Sequence, residues 1–455
     1  MSRALGRSQV MVAVGLLLGG VGVASAAGAA GTVDELVDLQ RQMGGAFDRV
    51  APFAAGRDLD KVTGPGRPSP EVLREGTILS LAPGALADLK SARPDSMTLE
   101  IPGVAGSSLD LELVRVDLFA PGFSAVTSDG EIVPDSALGV HYRGVVRGEA
   151  GSVAAISVFD GEIMGFASSA QHGYLVLGRL GGNNPKNRHV IYPASALVPS
   201  QDFSCDTPDH ADFAGSTPEE LLSYWDAGHL TGSPKAVSGN PVDIWIESDY
   251  DVYKHFKSVS AVTTFLTGVF NQSATLYANE TIPLRISQLY IWTSNSPYKG
   301  NSSSQLLSKF QSYRTSFNGD LAHLVALRGG GGIAAGFNGL CAPNRRDSMC
   351  FSMLYTTYAT VPTYSWTVMV FTHEMGHLMG SRHTHACVWN GNNTQIDGCY
   401  NPEGTCPRLG YPAGGGTIMS YCHLQSVGIN FNNGFGPQPS AVINSRHDAA
   451  SCLTP

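Results

Sequence analysis

The sequence HEMGHLMGSRH, which begins at His373, constrains this chain more than any other stretch. On a helix, positions four apart share one face, so His373 and His377 can present two imidazole nitrogens to one ion. Glu374 lies about 100° around the helix from His373, close enough to reach a water beside that ion. Gly380 can adopt a left-handed conformation that ends the helix, so that His383 returns as a third ligand. Three histidines leave one zinc position open, which is typical of a catalytic site.

A second motif, GTIMSYC at residues 416–422, follows the histidines. HEMGHLMGSRH followed by a methionine turn, TIMSY, resembles the metzincin clan of zinc endopeptidases. The HEMGH core and the flanking cysteines are most similar to the adamalysin/reprolysin branch and its bacterial relatives. The resemblance implies one catalytic zinc ion, and it covers roughly residues 240–455 and, more weakly, the region upstream.

Carried over position by position, the resemblance makes His373, His377 and His383 the zinc ligands. It makes Glu374 the general base that takes a proton from water and passes it to the leaving amine. Met419 becomes an apolar floor packed beneath the histidines rather than a ligand.

Two residues depart from the adamalysin pattern. That branch usually has aspartate after the third histidine, where this chain has Thr384. Tyr421, two residues past Met419, resembles the astacin and serralysin branches, in which such a tyrosine ligates zinc or stabilises the tetrahedral intermediate. Two roles for Tyr421 therefore remain, one catalytic and one as a residue packed in the wall of the turn.

The order of elements in residues 241–455 predicts an α+β catalytic domain with a twisted mixed sheet, helices and a zinc cleft. VDIWIES at 242–248 alternates as a strand, and the next segment has apolar residues at helical spacing. The stretch GIAAGFNGLC at 332–341 resembles the edge strand along the metzincin cleft. Such an edge can bind an extended peptide, with an ordinary edge strand as the alternative.

The first 26 residues indicate export. Arg3 and Arg7 precede the apolar run VMVAVGLLLGGVGVA, and small residues follow at an A-x-A cleavage pattern. The run is short for a membrane span and contains several glycines, so residues 1–26 are predicted to be a signal peptide that is removed. Since no later segment is long and apolar enough to cross a bilayer, we expect a secreted protein.

Residues 27–205 are predicted to be a propeptide. Apolar residues alternate from about residue 97 to 180, which predicts antiparallel strands and hairpins. The residues before 97 predict short helical pieces and little else, and residues 181–240 predict a linker. HYRGVVRGEAGSVAAIS at 141–157 resembles the strand-rich propeptide of the adamalysin/reprolysin branch. The activation cleavage is expected within residues 206–240.

Eight cysteines in an exported chain favour disulfides. Cys205 stands apart, because the other seven all lie from Cys341 onward. A thiolate can ligate zinc, and the resembled family uses such a cysteine switch in its propeptide. The alternative is a disulfide at Cys205, since a switch leaves an odd number of cysteines. The resemblance implies a Cys341–Cys452 pair, and Cys350 is the candidate for the unpaired one.

These features predict a secreted, zinc-dependent endopeptidase that is made as a zymogen and cuts internal peptide bonds of proteins. The alternative is a secreted binding or adhesion protein that retains a metzincin fold, although such a protein has no need of Glu374. The net charge is −9 and the basic residues are scattered, which argues against a nucleic-acid partner. We expect protein or peptide substrates and a monomer; the sequence leaves open whether Ca²⁺ also binds.

Overall fold

The computed structural model describes residues 32–62, 67–103, 106–182, 185, 187–198, 204–207, 239–355, 361–362 and 364–455. Two β-sheets with flanking helices make up this part of the chain, which confirms the predicted α+β character. Among these residues, no helix combines the length and apolar character needed to span a membrane. The predicted signal peptide and most of the predicted cleavage segment lie outside the described residues.

The N-terminal region, residues 32–207, is rich in strands. Its elements are α1 (Val33–Gln42), β1 (Arg49–Val50), β2 (Phe53–Asp58), β3 (Thr77–Leu81), α2 (Ala85–Ala92), β4 (Ser96–Pro102), β5 (Ser108–Val116), β6 (Phe119–Thr127), β7 (Val140–Val146), β8 (Val153–Val158), β9 (Ile163–Ser169), β10 (Gly173–Arg179), β11 (Arg188–Pro193) and β12 (Ser204–Cys205). In the described chain, ten of these strands form one sheet in the order β1-β4-β5-β7-β8-β9-β10-β11-β3-β2. Consecutive strands from β7 to β10 pair antiparallel, as the alternating pattern predicted, and β11 pairs antiparallel with β10.

The sheet extends beyond the predicted strand-rich range of about 97 to 180. β1, β2 and β3 lie where short helical pieces and little else were expected, and β11 lies in the predicted linker, so both of those predictions were wrong in part. β3 is buried at four of its five positions and β11 at its four central ones. Both are short strands that lie between segments rich in Gly and Pro, so neither continues the run of alternating hairpins.

The C-terminal domain, residues 239–455, is built on a second sheet. Its elements are β13 (Val242–Ser248), α3 (Tyr250–Phe256), α4 (Val259–Asn279), β14 (Leu284–Ile291), α5 (Ser303–Tyr313), β15 (Leu321–Ala326), β16 (Gly331–Ala334), β17 (Met349–Met353), α6 (Tyr364–Leu378) and α7 (Pro437–Asp448). The strand order is β12-β16-β17-β15-β13-β14-β6. β14, β13, β15 and β17 run parallel, and β16 is antiparallel to β17.

The N-terminal region supplies both outer strands of this second sheet. β6 pairs in parallel with β14 at one edge, and the short β12 pairs in parallel with β16 at the other. The edges of the sheet that the C-terminal domain builds by itself, β16 and β14, are therefore both covered by residues upstream of 239.

Helix α4 joins the two sheets. The amide nitrogen of Asn271 donates to the carbonyl oxygens of Tyr142 and Ile156 and to the hydroxyl of Ser157 on β7 and β8. Gly268 lies against Met164 of β9, where a Cβ would overlap the methionine side chain. The face of α4 that meets the N-terminal sheet thus combines a small residue with a fully hydrogen-bonded polar one.

Three disulfides tie the described part of the C-terminal domain together: Cys341–Cys452, Cys387–Cys406 and Cys399–Cys422. Cys205 and Cys350 are free thiols. The predicted Cys341–Cys452 pair and the unpaired Cys350 are confirmed, and the alternative of a disulfide at Cys205 is wrong.

Candidate metal centre and active site

Helix α6 and the turn after it bring three histidines together. His373 and His377 lie on one face of the helix, and Gly380, with φ of +101°, turns the chain back toward His383. The Nε2 atom of His377 is 3.1 Å from Nε2 of His373 and 3.1 Å from Nε2 of His383. The three ring nitrogens therefore converge on one point. All three side chains are buried, so that point is shielded from bulk water.

Backbone carbonyls fix the tautomers of the two helical histidines. Nδ1 of His373 lies 2.8 Å from the carbonyl oxygen of Ile418, and Nδ1 of His377 lies 2.7 Å from that of Ser381. A carbonyl oxygen only accepts, so each Nδ1 carries the hydrogen and each Nε2 keeps a bare lone pair. Bare lone pairs 3.1 Å apart repel unless a cation lies between them.

The donor set fits zinc. Tetrahedral zinc with bonds of about 2.0–2.1 Å to nitrogen places ligand nitrogens roughly 3.3–3.4 Å apart, close to the separation found here. The sulfur of Cys205 lies 3.4 Å from Nε2 of His377 and joins the three histidines in one group of potential ligand atoms. Three neutral imidazoles and a thiol are soft and borderline ligands of the kind that zinc prefers.

Burial controls the protonation of these groups. It lowers the pKa of His373 and His377 well below the ordinary histidine value, and the neighbouring histidines lower it further. Burial and the Glu374 carboxylate raise the pKa of the Cys205 thiol, and burial raises the pKa of Glu374. A divalent cation at the histidines opposes the last two shifts, because it favours the thiolate and the carboxylate.

Glu374 lies at the point where helix α6 meets strand β16. Its Oε2 atom is 3.4 Å from the sulfur of Cys205 and 3.3 Å from the hydroxyl of Thr207. Gly332 makes room for it, because a Cβ at that position would overlap the Glu374 carboxylate. The buried carboxylate and Nε2 of His377 thus contact the same sulfur atom, so a group held at the position of that sulfur would also contact Glu374.

Residues 204–207 lie along strand β16. The backbone N–H of Asp206 donates to the carbonyl of Gly332 over 2.9 Å, and the N–H of Ala334 donates to the hydroxyl of Thr207 over 2.7 Å. The predicted edge strand therefore holds an extended peptide, here a segment of its own chain, which favours the substrate-cleft interpretation. Thr207 was not predicted, because a threonine beside Cys205 has no motif of its own.

Tyr421 contacts the same segment. Its hydroxyl accepts a hydrogen bond from the N–H of Cys205 over 2.7 Å and donates to the carbonyl of Cys205 over 3.1 Å. Its ring packs edge-on against His383 with 5.0 Å between ring centroids. Burial raises the pKa of Tyr421, so the phenol keeps its proton. In this structure the hydroxyl faces the cleft and binds backbone, and it is not only packed in the wall of the turn.

Met419 packs beneath the helix of the histidines. It is fully buried, and a Cβ at Gly376 of α6 would come within 2.8 Å of its sulfur. Its carbonyl accepts from the backbone N–H of Thr384, just after the third histidine. The methionine turn thus contacts both helix α6 and the segment that carries the third histidine.

Glu403 is a site residue that the sequence did not reveal. Its Oε1 atom lies 2.7 Å from Nδ1 of His383 and 3.1 Å from Nε2 of His385. Burial raises the pKa of Glu403, but the interactions with these two histidines outweigh it and hold that pKa well below its ordinary value. The missing acid at Thr384 was the one signal that could have prompted a search for a carboxylate elsewhere.

Comparison with known proteins finds one family model that matches the C-terminal domain. Residues 238–430 match the family model Reprolysin_5, described as metallo-peptidase family M12. Among solved structures, metalloproteinase-II from Bacteroides fragilis matches with 11% identity and a TM-score of 0.36, over 69% of this chain and 89% of that one. A chaperone–substrate complex matches with 11% identity and a TM-score of 0.24, over 63% of this chain and 51% of that one. No curated protein matches the chain. Over residues 238–430 the chain is therefore similar to the metallopeptidases of family M12, which supports a metzincin-like metallopeptidase.

Proposed function

We propose that this chain is the precursor of a secreted zinc endopeptidase that hydrolyses internal peptide bonds of proteins. In this proposal, residues 1–26 are a signal peptide, residues 27–205 a propeptide and residues 241–455 the catalytic domain. Activation cleavage falls within residues 206–240. One observation carries the proposal: the Cys205 segment lies in the cleft along β16, with its thiol against the histidines.

Each site residue has a role in hydrolysis. His373, His377 and His383 hold the zinc ion through Nε2. When bound, zinc supplies Lewis acidity, which acidifies a water and polarises the substrate carbonyl. Glu374 takes the proton of the attacking water onto its carboxylate and delivers it to the leaving amine nitrogen. The Tyr421 hydroxyl donates to the oxyanion that forms at the former carbonyl.

Strand β16 is proposed to align the substrate. In the precursor, the carbonyl of Gly332 and the N–H of Ala334 bond to Asp206 and Thr207. Once that segment leaves, the same groups can bond an extended peptide, which brings its carbonyl to the histidines. This need for several residues of extended backbone favours an endopeptidase over a hydrolase of a small non-peptide substrate.

The N-terminal region is proposed to keep the precursor inactive. The Cys205 sulfur fills the position that water needs beside the histidines, and Thr207 contacts the base. Secretion is supported by the three disulfides of the described chain, which persist in oxidising compartments. A free monomer with one zinc ion is the simplest assembly for this site.

The test compares the activated native chain with Glu374→Ala and Glu374→Gln. All three are made with a recognition site for a specific protease inserted within residues 208–238, so that maturation does not depend on the enzyme itself. We expect casein hydrolysis to fall at least about 1,000-fold in both variants, with one zinc per chain retained. Equal hydrolysis by all three chains would overturn the peptidase and favour the binding or adhesion protein.

A further inference from the structure

The three candidate zinc ligands differ in what their second ring nitrogen contacts. Nδ1 of His373 and of His377 faces a backbone carbonyl, whereas Nδ1 of His383 faces the carboxylate of Glu403. We propose that Glu403 is the positioning residue of the third histidine and sets the affinity of the site for zinc. This inference rests on the proposed zinc site. It assigns to an acid outside the histidine motif the role of holding a zinc ligand in place.

The geometry leaves His383 one productive orientation. A carboxylate only accepts, so the contact of 2.7 Å requires hydrogen on Nδ1 and leaves Nε2 bare toward the other two histidines. The charge of Glu403 also makes that nitrogen a better donor to a cation. Such carboxylate–histidine pairs fix the tautomer and ring orientation of metal ligands, and their loss typically costs about 10–100-fold in metal affinity.

The position of Glu403 is fixed by its own backbone. Its N–H donates to the carbonyl of His385, and its carbonyl accepts from the N–H of Cys387. The Cys387–Cys406 disulfide closes the loop that carries it, and a Cβ at Gly404 would come within 2.8 Å of Cβ of Cys387. The backbone of Glu403 is therefore anchored to the segment that immediately follows His383, which keeps its carboxylate beside that ring.

His385 supports the same carboxylate. Its ring stacks on His383 with 4.8 Å between ring centroids and 9° between planes, and its Nε2 shares the Oε1 atom of Glu403. His383, His385 and Glu403 together also form a potential ligand group. A metal there would need Nδ1 of His383 to lose its hydrogen, whereas an N–H donated to Glu403 accounts for the contact and leaves Nε2 for the proposed zinc.

The position after the third histidine agrees with this assignment. Thr384, which stands where the adamalysin branch has an acid, directs its N–H and hydroxyl to the carbonyl of Met419 instead. Thr384 thus joins the segment that follows the third histidine to the methionine turn. His383 does contact an acid, but this acid is Glu403, which lies 20 residues further along the chain in a disulfide-closed loop.

The test measures zinc affinity in the full-length chain carrying Glu374→Ala, which prevents self-cleavage. Competition with a fluorescent zinc chelator gives the Kd for four chains: this parent, Glu403→Leu, Glu403→Gln and the control Asp347→Asn. Leucine removes the acceptor with similar bulk, and glutamine keeps an oxygen acceptor without charge. Asp347 is an exposed acid of the same domain, on the turn before β17.

We expect Glu403→Leu to raise the Kd about 10–100-fold, Glu403→Gln to raise it less, and Asp347→Asn to leave it unchanged. The thermal midpoint of each zinc-free variant should match that of the zinc-free parent, because Glu403 is proposed to orient a zinc ligand rather than to stabilise the fold. A leucine variant with the parent Kd would overturn the proposal. If leucine destabilises the zinc-free fold, an unchanged Kd for the glutamine variant would do so.

The outcome is separable from that of the proposed function. A parent that binds no zinc would overturn both. A parent that binds zinc, weakened by Glu403→Leu, supports the positioning role even if the activated native enzyme hydrolyses no peptide.

Discussion

The hydroxyl of Thr207 lies 3.3 Å from Oε2 of Glu374 and 3.1 Å from the sulfur of Cys205. One short segment of the N-terminal region therefore contacts both the candidate metal ligands and the candidate base. Because the Thr207 hydroxyl also accepts the N–H of Ala334, it is fixed to the edge strand and does not rotate freely. In the proposed precursor, two contacts of this segment would therefore keep the site inactive: one at the histidines and one at the base.

We predict that Cys205→Ala activates the uncleaved precursor only in part. Removal of the thiol opens the metal position, but the Thr207 hydroxyl still contacts the carboxylate of the base, Glu374.

Adding Thr207→Val removes a hydrogen bond to a charged acceptor, which is worth about 1.5–3 kcal/mol. The double variant should therefore be about 10–100-fold more active than Cys205→Ala. Initial rates on a quenched fluorescent peptide, with a gel to show that the chain is intact, measure this. Thr207→Ser in the Cys205→Ala background keeps the hydroxyl and serves as the control; equal rates for the valine and serine chains would contradict the proposed role of the contact at the base.

Tyr421→Phe is predicted to affect the precursor and the mature enzyme in opposite directions. The precursor loses both hydrogen bonds to the backbone of Cys205 and should be activated faster. The mature enzyme loses a donor to the oxyanion, so kcat should fall about 100-fold with KM and zinc content little changed. Tyr400→Phe is the matched control, because that ring packs on Tyr421 with 4.8 Å between centroids and is partly exposed. If the mature Tyr421→Phe enzyme kept the native kcat, the catalytic role of the Tyr421 hydroxyl would be contradicted and only a packing role would remain.

Gly332→Ala is predicted to impair the base without removing the metal. The added Cβ would overlap the Glu374 carboxylate, and the side chain that must yield is the proposed proton carrier. We expect kcat to fall at least about 10-fold, since a 1 Å misplacement of a reacting group costs up to about 100-fold. Zinc content, measured on the same preparation, should stay at one per chain. Gly410→Ala, at a position with no heavy atom within 4 Å of the added Cβ, should leave both quantities unchanged.

Acid is predicted to destabilise the precursor through buried neutral histidines. Burial lowers the pKa of His141 to about 3 and of His189 to about 4. Both lie below the unfolded value of about 6.5, so the unfolded chain takes up protons first as the pH falls. Stability is therefore complete above about pH 6.5 and is lost progressively toward pH 3–4, by up to about 1.4 kcal/mol per pH unit for each histidine.

The thermal midpoint of the Glu374→Ala precursor between pH 7 and pH 4.5 measures this loss. His141 accepts from the hydroxyl of Ser157 through Nδ1 and donates through Nε2 to the carbonyl of Leu138. His141→Gln removes the titrating group, so its midpoint should fall less over the same pH interval than that of the parent. His255→Gln, on the short helix α3, serves as the control, and a pH slope unaltered by His141→Gln would contradict the prediction.

The sequence predicts the positions of site residues that are close together in the chain, but not of those that are far apart in it. His373, Glu374, His377 and the turn at Gly380 are related by the helix itself, so their arrangement follows from local geometry. Residues distant in the chain, such as Thr207 and Glu403, lie at the site because of long-range strand pairing and a disulfide-closed loop. No local pattern distinguishes such residues from other polar residues in loops.

The fold shows the same division. Alternation predicted the hairpins β7 to β10, because each of those strands repeats a period that the sequence displays. β3 and β11 were missed, since these strands of five and six residues lie between segments rich in Gly and Pro rather than in the run of hairpins.

By itself, the sequence determined the local geometry of the candidate metal site: the spacing places two histidines on one helix face, and the glycine turn lets a third return to them. The same motif, together with the methionine turn, carries the resemblance to metzincin-like metallopeptidases. Only the tertiary structure decided that residues upstream of 239 cover both edges of the second sheet, that the Cys205 thiol reaches the histidines, and that Glu403 faces His383. Those relationships depend on long-range strand pairing and on a disulfide-closed loop, which no local residue pattern encodes.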